Sequence, residues 1–317
     1  MKIGIIGSGR IISSVHLPLL SCIDNVDIEF IADRKNPSKL ANLYKTKSIP
    51  IENISNLPSC DIVLLALPMG AKEEYIQEFA KRDCFIFTEK PFATNLEEHK
   101  NFLKLTDKIT CNYMRKYYNT TRHAKNIISS NVFGKIQKIS IIEGGIHGKT
   151  SLDKNSYQND PSLSGGFLKD SASHTFSQLD FLFDKISVQE ANIIWENNFD
   201  IEINATFGVN DSFTVDYIGT QLKNIEPHTI LFFEDYKIQF NHKIPDSIFT
   251  ISPLNSEKKY ILQQESSFAS TFSQAYYLKW NDFLTKISLS SQLDTQTETS
   301  IMTTKIINNI ILKGSKK

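Results

Sequence analysis

The amino terminus of the chain contains the stretch KIGIIGSGRII, residues 2–12, in which a short apolar run leads into two glycines spaced as G-x-G. This pattern predicts a buried strand, a tight turn at Gly7 and Gly9, and the start of a helix. The first glycine of such a motif permits the turn, and the second lets the backbone approach a pyrophosphate held by helix N–H groups. Arg10, Ile11 and Ile12 are expected in the same loop, although Ile12 stands where a glycine or alanine usually allows helix and strand to pack closely.

Asp33 lies at the end of the second predicted strand, 21 residues after Ile12. An acidic residue about 20 positions beyond the glycine motif binds the ribose hydroxyls in dinucleotide-binding folds. Asp33 would repel a 2′-phosphate and favours NAD, whereas the neighbouring Arg34 could pair with that phosphate and favour NADP. We expect NAD as the cofactor, with NADP as the alternative. The plain alternative for both motifs is a tight turn followed by a surface aspartate.

The first 118 residues alternate apolar runs with stretches of helical periodicity, which predicts a doubly wound parallel sheet with right-handed crossovers. The apolar runs are rich in Ile, Val and Phe, as buried parallel strands are. They lie at 3–6, 28–32, 62–67, 85–87 and 109–111, with helical stretches at 70–81 and 95–106. We expect an α/β fold whose amino-terminal Rossmann domain covers residues 1–118.

Beyond residue 118 the pattern changes to short runs in which apolar and polar residues alternate. They lie at 136–142, 201–207, 213–218, 229–233, 236–240 and 259–263, and helical spacing returns over 272–312. Such alternation is typical of antiparallel sheets with one packed face. We expect a second, α+β domain over residues 119–317 with a large open, mostly antiparallel sheet.

The composition argues against several classes of protein. Lys+Arg and Asp+Glu each number 35 in 317 residues, and a net charge of zero disfavours a nucleic-acid-coating or polybasic membrane-surface protein. No run approaches the roughly 18 apolar residues that span a bilayer. Four cysteines without a C-x-x-C pair, and no His/Cys/Asp/Glu grouping with metal-ligand spacing, predict free thiols in the cytoplasm and no metal site.

The triplet Glu89-Lys90-Pro91 follows the predicted strand at 85–87. Ligands of doubly wound sheets bind beyond the carboxyl ends of the strands, so Lys90 is expected near the reactive ring of a bound dinucleotide. Its ammonium could hydrogen-bond a substrate oxygen there and stabilise charge that develops on it. Taken alone, a lysine after an apolar strand is usually a solvated charge.

The chain resembles the Gfo/Idh/MocA oxidoreductases, the family of glucose–fructose oxidoreductase and inositol dehydrogenase, over most of its length. Five motifs in the family's order carry the resemblance: the glycine loop followed by His16-Leu17-Pro18, the fourth strand over 61–68, Glu89-Lys90-Pro91, the linker segment 112–117, and the segment 157–174. The resemblance implies hydride transfer between NAD(P) and a hydroxyl or keto carbon of a sugar, polyol or nucleotide-linked sugar. It also implies a homo-oligomer, a dimer or tetramer, formed through the face of the second-domain sheet.

The resemblance further assigns roles to individual residues. It places Leu67, Pro68, Glu89 and Asn112 beside the cofactor, Arg115 and Tyr157 beside the substrate, and Lys90, Asp170 and His174 in catalysis. It also implies a cis peptide bond between Lys90 and Pro91.

Asp170 and His174 are four residues apart, so on a helix they lie on one face about one turn apart. Oxidation of an alcohol needs a base for the hydroxyl proton, and an imidazole with an ordinary pKa near ~6.5 suits proton exchange at neutral pH. His174 would exchange this proton, Lys90 would polarise the same oxygen, and Asp170 would orient the sugar or hold the histidine's charge. The alternative is an exposed i, i+4 pair that stabilises a helix by a few tenths of a kcal/mol.

Four departures from the family pattern bear on function. They are Ile12, the stretch 69–73 without the family's Asn and His, Phe167 in place of a third consecutive glycine, and Ser177 where members often carry aspartate. Two alternative functions therefore stay open. One is an NAD-dependent glycosidase that uses the same lysine and histidine, and the other is a dinucleotide-binding regulator without turnover.

Overall fold

The fold consists of two units, each with its own sheet. The computed structural model describes residues 1–145, 166–262 and 268–314. The first unit comprises Met1–Tyr113 and Tyr276–Ile301, and the second comprises Met114–Ala275 and Met302–Lys317.

The sheet of the first unit contains the five predicted apolar runs and one further edge strand over Lys47–Pro50, which sequence reasoning did not identify. Its strands are β1 (Lys2–Ile6), β2 (Asp27–Asp33), β3 (Lys47–Pro50), β4 (Ile62–Leu65), β5 (Phe85–Thr88) and β6 (Ile109–Cys111). All neighbours pair in parallel in the order β3-β2-β1-β4-β5-β6. The strand order reverses between β1 and β4, and ligands of such sheets bind at this switch point.

Helices of the first unit connect these strands or belong to the returning carboxy-terminal segment. The helix Leu96–Leu105 begins where the Asn95 side chain accepts a hydrogen bond from the Glu98 N–H at 3.0 Å, which is the expected N-cap contact. The helical elements are Ile12–His16 (a π-helix), Leu17–Leu20, Ser38–Leu43, Ile54–Asn56 and Met69–Ala71 (single 3₁₀ turns), Glu73–Lys81, Leu96–Leu105, Phe272–Ser288 from Tyr276 onward, and Thr295–Thr299.

The second unit contains an eight-stranded sheet in which alternate residues are buried. Its strands are β7 (Lys138–Gly144), β8 (Ile186–Glu196), β9 (Phe199–Val209), β10 (Phe213–Thr220), β11 (His228–Phe232), β12 (Tyr236–Phe240), β13 (Phe249–Pro253) and β14 (Tyr260–Leu262). The order is β14-β13-β12-β11-β7-β10-β9-β8, parallel between β7 and β10 and antiparallel elsewhere. The predicted fold class is therefore confirmed.

One core joins this sheet to helices of the second unit. The helices are Met114–Tyr117 (a 3₁₀ turn), Asn119–Ser130, Leu168–Ala172 (a π-helix), Ser173–Leu182 and Ile301–Gly314. Phe176 and Leu179 of one helix and Ile306 and Ile310 of another pack into the same buried cluster as strand residues such as Phe207. No helix in the described ranges is long and apolar enough to cross a bilayer.

The segment Tyr276–Ile301 departs from the predicted division, which assigns all of 119–317 to the second domain. In the structure this segment belongs to the first unit. Trp280 is fully buried and stacks on Phe87 of β5, with ring centroids 4.0 Å apart and an interplanar angle of 4°. Lys279 forms a buried ion pair of 2.6 Å with Glu298. No local sequence pattern encodes contacts at such separation along the chain, so the predicted boundary misses them.

Candidate functional site

The glycine loop after β1 has the geometry of a phosphate-binding turn. Gly7 has a φ of +99°, and a Cβ there would lie 2.5 Å from the Ala66 carbonyl oxygen, so the turn requires glycine. A Cβ on Gly9, by contrast, would meet nothing within 4 Å. Glycine at position 7 is therefore required by the conformation of the turn, whereas glycine at position 9 leaves open space beside the backbone. This space fits a dinucleotide phosphate, because the second glycine of the motif lets the backbone approach the pyrophosphate closely.

Ile12, the first departure from the family pattern, is accommodated by the protein core. Its side chain is fully buried and packs in one cluster with Ile3 and Ile5 of β1. The backbone runs as a π-helix over Ile12–His16. Arg10 is exposed and Ile11 half-buried in the same loop.

Asp33 is tied directly to the glycine loop. Its Oδ2 accepts hydrogen bonds from the Ser8 N–H and the Ser8 hydroxyl, both at 2.7 Å, and its Oδ1 accepts from the Lys35 N–H at 3.1 Å. The end of β2 and the predicted phosphate loop are thus brought together. Arg34 is exposed and lies 3.6 Å from the exposed Glu74, a contact that contributes little to stability.

A buried hydrogen-bonded chain supports Glu89 at the end of β5. Trp280 Nε1–H donates to His16 Nδ1 at 3.0 Å, so the ring proton of His16 lies on Nε2, which contacts Glu89 Oε1 at 2.8 Å. Asn112 Nδ2 donates to the same carboxylate oxygen at 2.7 Å. Asn112 is fully buried, and in this arrangement its amide supports Glu89.

The charge state of Glu89 follows from these contacts. Burial by itself would raise the pKa of Glu89, but hydrogen bonds from His16 and Asn112, together with the nearby Lys90 ammonium, hold that pKa below its usual value. Glu89 is therefore a carboxylate at neutral pH. Sequence reasoning did not identify Trp280 as a partner of His16, and no local signal could have, because 264 positions separate them.

Lys90 is half-buried, and the Lys90–Pro91 peptide bond is cis, as the resemblance implied. Leu67 and Pro68, which follow β4, are also half-buried, and Leu67 packs against the core cluster of the first unit. The predicted cofactor residues and Lys90 thus all belong to the first unit, at segments that follow strand ends.

Asp170 and His174 belong to the second unit. Asp170 lies in the π-helix Leu168–Ala172 and is half-buried, whereas His174 lies in the next helical segment with 8% of its surface exposed. Burial of the histidine excludes the alternative of a solvated surface pair. A π-helical segment inside a helix is frequently found at functional sites.

The start of this helix depends on Asp200, which sequence reasoning did not identify. Asp200 is 1% exposed, and its two carboxylate oxygens accept hydrogen bonds from the N–H groups of Phe167 at 2.8 Å and Leu168 at 2.6 Å. Gly166 has a φ of +74°, and a Cβ there would lie 1.7 Å from Asp200 Oδ1. Gly166 therefore makes room for the capping carboxylate, and Phe167 packs in the core.

The Asp200 cap is expected to make stability depend on pH. Burial raises the pKa of Asp200 from 3.8 to about 7, although the backbone N–H groups that it accepts oppose the rise. The folded state thus binds this proton more tightly than the unfolded state, so the contribution of Asp200 to stability is fully present below about pH 4 and is lost as the pH rises to about 7. We expect a decline of a few kcal/mol over this range, which Asp200→Asn should abolish. Urea unfolding of both proteins at pH 5 and pH 7.5 measures it, and an equal pH dependence in the two would contradict it.

Arg115 and Tyr157 are the predicted substrate residues. Arg115 is half-buried in the second unit, and its Nε and Nη1 have no hydrogen-bond partner within the ranges that the structure describes. Tyr157 lies outside the described residues. No group of three or more His, Cys, Asp or Glu side chains in the described residues is arranged to hold a metal ion.

The fold and its glycine loop define a protein with an NAD(P)-binding Rossmann unit followed by a unit with an open sheet. Residues 1–117 match the sequence model of the oxidoreductase family with an NAD-binding Rossmann fold, GFO_IDH_MocA. The resemblance to the Gfo/Idh/MocA oxidoreductases is thereby confirmed over these residues, which form the amino-terminal part of the chain.

Curated relatives match a smaller part of the chain at low identity. The scyllo-inositol 2-dehydrogenase (NADP(+)) of Bacillus subtilis is 22% identical over 199 residues, which are 61% of this chain and 55% of the relative. The inositol 2-dehydrogenase of Rhizobium meliloti is 24% identical over 189 residues, which are 57% of this chain and 54% of the relative. The chain thus spans about half the length of the curated relatives it matches.

Solved structures share the fold over nearly the whole chain. KijD10, a 3-ketoreductase from Actinomadura kijaniata solved with NADP and TDP-benzene, superposes with a TM-score of 0.83 at 14% identity, covering 99% of this chain and 97% of that one. A levoglucosan dehydrogenase in complex with NADH and levoglucosan gives a TM-score of 0.82 at 15% identity, covering 100% and 97%. At such identities the likeness concerns the fold.

Proposed function

We propose that the protein is an NAD(P)-dependent oxidoreductase that transfers a hydride between nicotinamide and a hydroxyl or keto carbon of a sugar, polyol or nucleotide-linked sugar. One observation carries the proposal. The Asp33 carboxylate accepts hydrogen bonds from Ser8 of the glycine loop at 2.7 Å, in the same unit in which Lys90 follows the fifth strand, β5. The glycine loop follows β1 and Lys90 follows β5, so both lie beyond the carboxyl ends of one parallel sheet, where such folds bind their ligands.

The residues proposed to hold the dinucleotide follow β1, β2, β4 and β5. The loop from Gly7 to Ile12 would bind the pyrophosphate through backbone N–H groups, and Asp33 would accept hydrogen bonds from ribose hydroxyls. Leu67 and Pro68 would contact the cofactor beyond β4, and Glu89 would keep the Lys90 segment in place. When bound, the nicotinamide supplies the hydride acceptor or donor.

Proton transfer is assigned to residues of this chain. In the oxidation direction, Lys90 would donate a hydrogen bond to the substrate oxygen and stabilise its developing charge, while His174 takes the hydroxyl proton. Asp170 and Arg115 would orient the substrate through its other oxygens. The relatives named as inositol 2-dehydrogenases support the reaction class for which these roles are proposed. Reduction of a ketone would use the same groups in reverse.

The substrate class is tested by a panel of defined compounds. Purified protein with NAD⁺ or NADP⁺ is offered myo-inositol, scyllo-inositol, levoglucosan and dTDP-linked hexoses, and absorbance at the reduced-nicotinamide wavelength is followed. We expect accumulation of reduced cofactor with at least one member and its loss in His174→Ala. Cleavage of an aryl glycoside without net reduced cofactor would instead indicate a glycosidase. Cofactor binding without any turnover would indicate a regulator.

Asp33 is expected to set the preference for NAD over NADP. Asp33→Ala should weaken NADH binding by about tenfold, because a ribose hydroxyl loses its carboxylate acceptor, and should relax discrimination against NADPH. Fluorescence titration with both reduced cofactors measures the change. Ser8→Ala is the matched control, since it removes one hydrogen bond to Asp33 but keeps the carboxylate. An unchanged NADH-to-NADPH ratio in Asp33→Ala would contradict the assignment.

We also infer a homo-oligomer, a dimer or tetramer, formed through the sheet of the second unit. Large apolar side chains on strands of this sheet are exposed, among them Trp195 at 46%, Ile218 at 38% and Ile261 at 73%. Such a surface needs a cover, and a second copy of the sheet supplies one. Light scattering on the purified protein tests this. A cytoplasmic location stays a prediction, which the free thiols of all four cysteines support.

A further inference from the structure

Lys72 is a fully buried lysine in the first unit. It lies in the stretch 69–73, where the family's Asn and His are missing, directly before the helix Glu73–Lys81. Burial lowers the pKa of Lys72 to about 8, because desolvation disfavours the ammonium. A buried amine is destabilising unless its N–H groups are hydrogen-bonded, so its partners indicate its role.

The partners of Lys72 are two backbone carbonyls that flank Lys90. Lys72 Nζ donates to the carbonyl oxygen of Glu89 and to that of Pro91, the latter at 2.5 Å. The same segment is held at two more points, since the Glu89 N–H donates to the Leu65 carbonyl at 2.9 Å and the Lys90 N–H contacts Glu89 Oε2 at 3.2 Å. Lys72 thus binds carbonyl groups of this segment, whereas the other two contacts bind its N–H groups.

Lys279 is a second buried lysine of this unit, and its contacts are compared with those of Lys72. It is 4% exposed, and its Nζ lies 2.6 Å from both Glu298 Oε2 and Thr110 Oγ1. Its partners are side chains remote in sequence from Lys90. Lys72 differs because its acceptors belong to the backbone that carries Lys90, and because the charges that act on it include Glu89 and Lys90.

We propose that Lys72 is a positioning residue for hydride transfer, which holds the backbone on both sides of Lys90 so that the Lys90 ammonium meets the substrate oxygen in a fixed geometry. The inference rests on the proposed function, because Lys72 acts only through Lys90. A displacement of about 1 Å in a catalytic group can cost about 100-fold in rate. We therefore expect removal of the two hydrogen bonds to lower kcat by about 10- to 100-fold.

The test compares Lys72→Met with Lys279→Met, a substitution of the same type at an equally buried site. Hydrogen–deuterium exchange gives a readout that needs no substrate. Amides of the segment 89–93 should exchange about tenfold faster in Lys72→Met, while those of β1 stay as in the wild type. Lys279→Met should leave the segment 89–93 unchanged. Lys72→Gln, whose amide retains two N–H donors, should restore part of the protection.

A double-mutant cycle then shows whether Lys72 acts through Lys90. With the substrate that the panel identifies, Lys72→Met should lower kcat in the wild type but cost little further in a Lys90→Ala background. The dissociation constant of NADH should stay within about threefold. Equal losses in both backgrounds, unchanged exchange over 89–93, or failure of both Lys72 variants to fold would overturn the proposal. Full activity of Lys90→Ala would instead reject the proposed role of Lys90, which the exchange measurement does not depend on.

Discussion

Replacing Lys90 by alanine is expected to lower turnover by about 10²–10⁴-fold, while the dissociation constant of NADH stays nearly unchanged. The expectation is based on the contacts of the segment that follows β5. There Glu89 is held as a carboxylate, and Lys72 fixes the backbone around Lys90. A hydrogen bond that strengthens as charge develops on the substrate oxygen affects kcat more than ground-state binding. Steady-state kinetics and NADH fluorescence titration measure both quantities.

The matched control for this variant is Lys100→Ala. Lys100 is an exposed lysine on the helix Leu96–Leu105 of the same unit, so its removal changes the net charge equally without touching the predicted site. His174→Ala should reproduce the loss in turnover, because it removes the proposed proton acceptor. If Lys90→Ala and His174→Ala both turned over at near-normal rates, the assigned roles would be wrong.

Alanine substitutions at Gly7 and Gly9 are expected to separate folding from cofactor binding. Gly7→Ala should destabilise the protein by about 2–4 kcal/mol, because a Cβ at a φ of +99° would lie 2.5 Å from a backbone carbonyl. Gly9→Ala should leave stability nearly unchanged, because its Cβ meets no protein atom within 4 Å. The added methyl group should nevertheless weaken NADH binding by about 10- to 100-fold, since it occupies room proposed for the pyrophosphate.

Thermal unfolding and fluorescence titration of the two glycine variants measure these effects, and each variant controls for the other. Wild-type affinity for NADH in a folded Gly9→Ala protein would show that the open room beside Gly9 does not receive the dinucleotide. An undiminished melting temperature in Gly7→Ala would show that the turn tolerates a side chain.

The buried chain from Trp280 through His16 to Glu89 shows how a distant segment enters the first unit. Its contacts are 3.0 Å and 2.8 Å long, and Trp280 also stacks on Phe87. The helix that carries Trp280 therefore contributes to the support of Glu89 as well as to the core. The variant Trp280→Phe would replace the indole by a smaller aromatic ring and remove the N–H that donates to His16.

The sequence by itself predicted five of the six strands of the Rossmann unit, because buried parallel strands appear as apolar runs, the first of which leads into a glycine loop. It did not predict β3, an edge strand without a fully buried residue. It also indicated the family and the cis bond at Pro91, since the motifs that carry the resemblance are contiguous. In the second unit it predicted most strands, but not β8 and β13, whose apolar residues are interrupted by polar ones on a half-exposed sheet.

Only the tertiary structure decided which residues support the predicted site. Lys72, Asp200 and Trp280 contact the Lys90 segment, the start of the His174 helix and His16, respectively. Each partner lies 17 to 264 positions away, and hydrogen bonds at such separations leave no periodicity in the chain. Their energetic value also depends on burial, which exists only after folding has removed water from these polar groups.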